Sequence, residues 1–352
     1  MGRVVAGSDP VLRFRGAVSL QHGPGWVTPW RLPHEEARLH LPEGGIGRAA
    51  MPAGVRVTLR TDSTALTCHY QADPAPRLNG PQERPVLDVR CDGRHTESVF
   101  LRADGHDARF RVALPGRSVV VELWLPTYHQ FRLRSLVLDE AAAVVREDRD
   151  RPRWVHYGSS ISQGRGAGSP SRAWAALVAE RAGLDLTSVA LGAACCLQPM
   201  TARLMRDLPA DLLTACVGIN IQALGSHGPD AFTSALVGFV RTVRDGHPET
   251  PFAVMSTIVA PDREDVPGPS GLTIKECRER TYSAVELLRS HGDVHLHYVD
   301  GLDVFGPDQA PLLLEPEGID RLHPGPEGHP VFADRFLAAL HRSGCLPACV
   351  SQ

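Results

Sequence analysis

Near its C-terminal end the chain reads Asp320-Arg321-Leu322-His323-Pro324, and far upstream, directly after the strand-like run Trp154-Val155-His156-Tyr157, it reads Gly158-Ser159-Ser160-Ile161. A hydroxyl is a poor nucleophile at neutral pH unless an imidazole takes its proton, and the imidazole must be held in one tautomer by a carboxylate. An Asp three residues before a His can do that holding within one loop. The set then needs one serine on a sharp turn at the end of a strand, brought from elsewhere in the fold. By residue type Ser159, Ser160 and Ser162 all qualify. The chemistry such a set performs is acyl transfer through an acyl-serine. Each piece taken alone has a plainer description: Gly-Ser-Ser is commonly a polar turn, and Asp before a helix is commonly a cap.

The elements that must bring these groups together can be read from the rhythm of the chain. After Pro152, strand-like runs at Trp154 to Tyr157, Leu186 to Leu191, Leu212 to Val217, Phe252 to Ile258 and Val294 to Val299 alternate with helical patterns at Arg172 to Ala182, Thr201 to Asp207, Pro229 to Asp245, Thr273 to Ser290 and Pro330 to Arg342. Strict alternation implies a parallel sheet covered by helices, with its site beyond the carboxyl ends of the strands. From about Phe14 to Glu140 the pattern has period two in short bursts, as in Val55-Arg56-Val57-Thr58-Leu59 and Phe131-Arg132-Leu133, with no helix-length amphipathic stretch. That pattern predicts an antiparallel β-sandwich. The segment from Ala141 to Arg151, charged in its second half, reads as a linker. Two domains are expected, 1–150 and 151–352.

The turn at Gly158-Ser159-Ser160-Ile161, the Gly192 after a strand, the Gly218-Ile219-Asn220 after the next and Asp320-Arg321-Leu322-His323 resemble, in order and context, the four sequence blocks of the SGNH or GDSL hydrolase family. The resemblance covers roughly Trp154 to Leu340. It implies a flavodoxin-like parallel sheet preceded by an all-β, jelly-roll-like sandwich, similar to the domain joined to such modules in some carbohydrate esterases and antibiotic-pathway acyltransferases. It implies Ser160 as nucleophile, His323 as base and Asp320 as its orienting carboxylate. The backbone N–H groups of Ser160 and Gly192 and the side-chain amide of Asn220 are then the oxyanion donors. The chain departs from the family pattern at Ser159, where Asp is usual, at Ile221, where Asp is common after the Asn, and at Ala190, where Asn is often found.

Bulk properties exclude other classes. Apolar residues make up 43% and charged residues 22%, and the net charge of -3 leaves no global positive field for nucleic acid or an anionic membrane. Nearly all the positive charge is arginine, with Lys275 the only lysine, which carries no functional weight. No apolar run has the length of a signal core or a membrane span, so a cytoplasmic address is expected. The eight cysteines are scattered and read as reduced; Cys345 and Cys349 have a metal-like spacing without a second pair. His34-Glu35-Glu36-Ala37-Arg38 breaks the zinc-protease pattern at Arg38, and His295 and His297 share a strand face without a third ligand. Cys195-Cys196 could line an acyl pocket, with core packing the plainer use. His329 is expected to be structural or solvent-facing. No metal or cofactor is expected. The substrate is a small-molecule ester or acyl thioester, and the oligomeric state is open.

Three functions follow as expectations. The first is a carboxylic ester hydrolase acting through an acyl-serine. The second is an O-acyltransferase that hands the same acyl group from a thioester such as acyl-CoA to a hydroxyl. The third, from another class, is a carbohydrate-binding protein whose hydrolase half is inert.

Overall fold

The computed structural model describes residues 2–40, 46–75, 83–315, 317–318 and 320–347. The chain divides into two compact units, one of Met1–Asp150 with Gly168–Ser171 and one of Arg151–Ala167 with Arg172–Gln352.

The first unit is built from β1 (Arg3–Ala6), β2 (Arg13–Arg15), β3 (Ser19–Gly23), β4 (Trp26–Trp30), β5 (Arg56–Thr61), β6 (Ala65–Ala72), β7 (Val86–Cys91), β8 (Arg94–Phe100), β9 (Asp107–Ala113), β10 (Val119–Trp124), β11 (Phe131–Leu138) and β12 (Val144–Val145). They form two antiparallel sheets, β3-β4-β11-β6-β9 with β1 on β11, and β12-β5-β10-β7-β8 with β2 on β5. Alternate residues of facing strands, among them Val57, Leu59, Leu66, Tyr70, Val89, Val121, Leu133 and Leu136, make one buried core. This is the expected sandwich, with two differences. Short helices α1 (Ala37–His40) and α2 (Ile46–Ala50) interrupt it between β4 and β5. Part of the expected linker is sheet: Val144 and Val145 pair with Thr61 and Arg60 of β5 and Ala142 is buried, because a β-branched pair beside an open edge can extend the ladder. Gly168–Ser171 belongs to this unit through Asp88, a fully buried carboxylate that accepts from Ser98 Oγ at 2.6 Å, Ser169 Oγ at 2.7 Å, and Ser171 N and Oγ at 2.9 and 2.6 Å.

The second unit holds β13 (Arg153–Tyr157), β14 (Asp185–Ser188), β15 (Leu212–Cys216), β16 (Phe252–Met255) and β17 (Leu296–Val299), all parallel in the order β14-β13-β15-β16-β17. Its helices are α3 (Ser160–Gln163), α4 (Trp174–Arg181), α5 (Pro199–Asp207), α6 (Ile219–Leu224), α7 (Pro229–Arg244), α8 (Ile274–Ser290), α9 (Gly301–Val304) and α10 (Gly328–Arg342). The order is that of flavodoxin-like sheets, whose switch point lies between the strands here numbered β13 and β15. All five expected strands and all five expected helices are present, with shifted ends. The strand expected from Val294 begins at Leu296, so His295 lies in the preceding turn. Thr273 is the cap of α8 rather than its first residue, bonded to Glu276 in a capping box. Below the site, Trp174 of α4 stacks on Phe332 and meets Phe336 edge-on, with ring centroids 4.5 and 5.0 Å apart, which fastens α4 to α10.

Two histidines of this unit, His156 on β13 and His329 on α10, are fully buried. Burial lowers their imidazoles from the ordinary 6.5 to about 3 and about 4. The unfolded chain therefore binds more protons than the folded one between these values, so stability falls as pH drops below 6.5. Urea unfolding at pH 7 and pH 5 should show a lower midpoint at pH 5, and the difference should shrink in His329→Gln.

Candidate active site

Three strand ends and one late loop supply the candidate groups. Ser160 follows β13 and is the first residue of α3, so its N–H lacks an intrahelical acceptor. Ser159 is the cap of that helix, its hydroxyl accepting from Ile161 N at 3.3 Å, and Ser162 is buried. Of the three serines, Ser160 is the one on the imidazole. Its Oγ lies 2.7 Å from His323 Nε2, and His323 Nδ1 lies 2.6 Å from Asp320 Oδ1. Asp320 Oδ1 also accepts the His323 backbone N–H at 3.2 Å, so the carboxylate grips both ends of the residue it orients. This fixes the tautomer: Nδ1 donates to Asp320 and Nε2 is left to accept from the Ser160 hydroxyl.

The Asp320 carboxyl is pulled two ways. Burial pushes it up, but the bond and charge of His323 together with the Arg165 guanidinium outweigh that and hold it at about 2. It is an anion throughout the physiological range. The loop bearing it is braced by Glu315, whose Oε2 accepts Asp320 N at 3.0 Å, and by Leu314 N, which donates to His323 O at 2.7 Å. Leu322 packs with Ile219, Ala260 and Ile274, which sets the loop of Asp320 and His323 against the start of α6.

The expected oxyanion residues differ in how they stand. Asn220 lies in α6 after β15, and its Oδ1 accepts Cys195 N at 3.0 Å, which turns Nδ2 to be the donating end of the amide. Gly192 lies beside the serine: a Cβ there would sit 3.4 Å from Ser160 Cβ and 3.0 Å from Gln163 Oε1. Its N–H, however, donates to Gln163 Oε1 at 2.8 Å. Gln163 stands three residues after Ser160 on the same short helix, on the face that meets the Gly192 loop. Of the three donors expected, the Gly192 N–H is thus committed to a protein acceptor in this structure. Cys195 is 1% exposed with its Sγ 3.5 Å from Cys216 O, and burial pushes its thiol up, so it packs in the core. Asn220→Ala is expected to lower kcat/KM by about two to three orders of magnitude with the fold intact, measured with an aryl ester substrate alongside circular dichroism.

Two neighbours, Arg165 and Gln163, were not singled out from the sequence, and His329, expected to be structural or solvent-facing, is fully buried. Arg165 Nε donates to Asp320 Oδ2 at 3.1 Å, Gln163 holds Gly192, and His329 donates from Nε2 to the Arg165 carbonyl at 3.0 Å while its Nδ1 accepts from Trp174 N at 3.0 Å. The only available signal for Arg165 was a charged residue between two glycines, Gly164 and Gly166, which arginine-rich composition makes unremarked. Among the described residues no helix is long and apolar enough to cross a membrane.

Comparison with known proteins agrees with this architecture. Residues 156–331 match the model of the GDSL-like lipase/acylhydrolase family, and residues 12–134 match that of the SsfX3 N-terminal domain. No curated protein matches the chain. Among solved structures, the salicylyl-acyltransferase SsfX3 from a tetracycline biosynthetic pathway is 44% identical, with 98% of each chain covered and a TM-score of 0.92. A GDSL-like lipase from Bacteroides ovatus, 18% identical with 98% of each chain covered and a TM-score of 0.77, shares the fold. So does a family two carbohydrate esterase from Cellvibrio japonicus, 14% identical over 97% of this chain and 98% of that one, with a TM-score of 0.68. With a parallel sheet of flavodoxin order, three of the four blocks at its strand ends and the fourth in a late loop, and a full-length relative at this identity, the chain is an acyl-transfer or esterase enzyme and belongs to the GDSL-like lipase/acylhydrolase family.

Proposed function

We propose that the protein is an O-acyltransferase that forms an acyl-Ser160 intermediate from an acyl thioester and passes the acyl group to a hydroxyl of a small molecule. The acyl-serine half of this reading is carried by the line Ser160 Oγ, His323 Nε2, His323 Nδ1, Asp320 Oδ1, joined at 2.7 and 2.6 Å. The transfer half is supported by the likeness to an acyltransferase over 98% of both chains, the front unit included. Residues 151–352 are the catalytic domain in this reading and residues 1–150 the accessory domain.

In the first half-reaction His323 Nε2 takes the Ser160 proton as Oγ bonds to the thioester carbon. The new oxyanion lies against Ser160 N–H and Asn220 Nδ2. Collapse breaks the carbon–sulfur bond and the leaving thiolate takes the proton from Nε2. In the second half-reaction the acceptor hydroxyl gives its proton to Nε2 and its oxygen bonds to the acyl carbon. Ser160 then leaves with that proton, and the enzyme returns to its starting state.

Ester hydrolysis is the second reading, favoured by the family model over residues 156–331, and differs only in water replacing the alcohol. The third expectation, an inert hydrolase half on a binding protein, loses ground because family membership makes the chain an enzyme. A panel of aryl esters and acyl-CoAs, incubated with and without candidate alcohols, separates the first two. Partition of acyl product to an alcohol at millimolar concentration is expected; release of free acid with every acceptor tried would replace the transferase with a hydrolase.

A further inference from the structure

Asp320 has a partner on each oxygen. Oδ1 serves His323, and Oδ2 accepts from Arg165 Nε at 3.1 Å, with the two side chains only 4% and 7% exposed. A carboxylate held at one oxygen can still swing about that bond. A second anchor on the other oxygen fixes its plane, and with it the plane of the imidazole.

Arg165 is itself fixed on both sides of the site. Its backbone N–H donates to Ser160 O at 3.0 Å, closing the end of the nucleophile helix, and its carbonyl accepts from His329 Nε2 of α10. The next residue, Gly166, has φ +88°, and a Cβ there would sit 2.2 Å from the Pro324 carbonyl. Only glycine lets the chain leave Arg165 in that conformation and pass so close to the loop that carries His323. The segment after α3 is therefore laced to the base loop by a side chain and by backbone contact, independently of the Ser160–His323 bond.

From this we infer that Arg165 is a positioning residue of the acyl-transfer site, tying the nucleophile turn to the base loop and, through the second oxygen of Asp320, fixing the plane of the His323 imidazole. The inference rests on the reading of Ser160, His323 and Asp320 as the reacting set. Other charged or titratable groups face the pair from each packed element. Glu315 holds the Asp320 N–H, His329 approaches from α10, and Arg321 of the same loop turns to Asp262 at 2.6 Å. Among the described residues, Arg165 is the cation that bonds the carboxylate.

The test is the rate of labelling by a fluorophosphonate probe in the full chain, read as a saturating rate and a half-saturating probe concentration, with thermal melting beside it. Arg165→Gln keeps one donor of similar reach but neither the charge nor the planar fork, so the Asp320 plane is held more weakly and the saturating rate should fall about tenfold or more with the half-saturating concentration unchanged. Arg165→Lys keeps the charge but not the fork, so its saturating rate should lie between that of Arg165→Gln and the wild type. A merely structural arginine would lower the melting temperature alone, so a wild-type saturating rate in folded Arg165→Gln overturns the inference. If Arg165→Gln gives no folded protein, Arg165→Lys decides: a wild-type saturating rate overturns the inference, and a lowered saturating rate in the folded variant at an unchanged half-saturating concentration supports it. A wild type that takes no label on Ser160 overturns the underlying reading and this one together; a labelled wild type whose rate Arg165→Gln matches removes only the role of Arg165.

Discussion

Ser160→Ala should lower kcat/KM by about five orders of magnitude or more and abolish the fluorophosphonate adduct. In the proposed reaction the Oγ is the atom that bonds to the acyl carbon, and without it His323 has no proton to take at 2.7 Å. Loss of a serine nucleophile removes the covalent route entirely, leaving only the residual catalysis of oxyanion donors and binding, about three to four orders of magnitude over water. Little stability should be lost, since the hydroxyl caps no helix; that task falls to Ser159. Intact mass after labelling is the direct check, with one adduct on wild type and none on the variant. An adduct that persists and maps to Ser159 or Ser162 would move the nucleophile, although Ser162 lies buried.

Asp320→Asn should cost about four orders of magnitude in kcat, close to the value found when a triad carboxylate is replaced by its amide. An asparagine in that place can present an N–H to His323 Nδ1, which turns the ring to the tautomer with Nε2 protonated and unable to accept from Ser160. The loss should not be recovered by raising the pH to 8, because the wild-type carboxyl, held at about 2, is already an anion there and the defect is geometric. Stability should fall as well. Arg165 would keep a buried charge without its carboxylate, a change that in buried pairs costs about 3–5 kcal/mol. Single-turnover kinetics at several pH values, with urea unfolding beside them, separate the two effects. A variant within tenfold of wild-type kcat would mean that His323 is oriented by something other than Asp320.

The fold was legible because its two halves obey different periods. Alternation in segments such as Val119 to Leu125 and Phe131 to Leu133 has one reading in a half-buried strand, and the strand–helix alternation after Pro152 has one reading in a covered parallel sheet. The failures fall where local pattern is weakest. Val144 and Val145 looked like the edge of a linker because a two-residue strand has no period to detect; it exists because β5 offers an open edge. Helices α1 and α2 are four and five residues long, too short for an amphipathic repeat to show.

The sequence by itself singled out the residues proposed to react. Ser160 on a turn after a strand, Asn220 on the turn after another, and Asp320 three places before His323 are local facts, because turn chemistry and short loop spacing are set by neighbours along the chain. What only the tertiary structure decided is how those residues are held. Arg165 on the far oxygen of Asp320, Gln163 on the Gly192 N–H and His329 under the Arg165 carbonyl join elements distant in the chain or meeting only across the sheet's end. No spacing rule ties an arginine to an aspartate more than a hundred and fifty residues away. Their pairing follows from burial: once packing removes water from these polar groups, each must find its partner among whatever the fold has brought alongside.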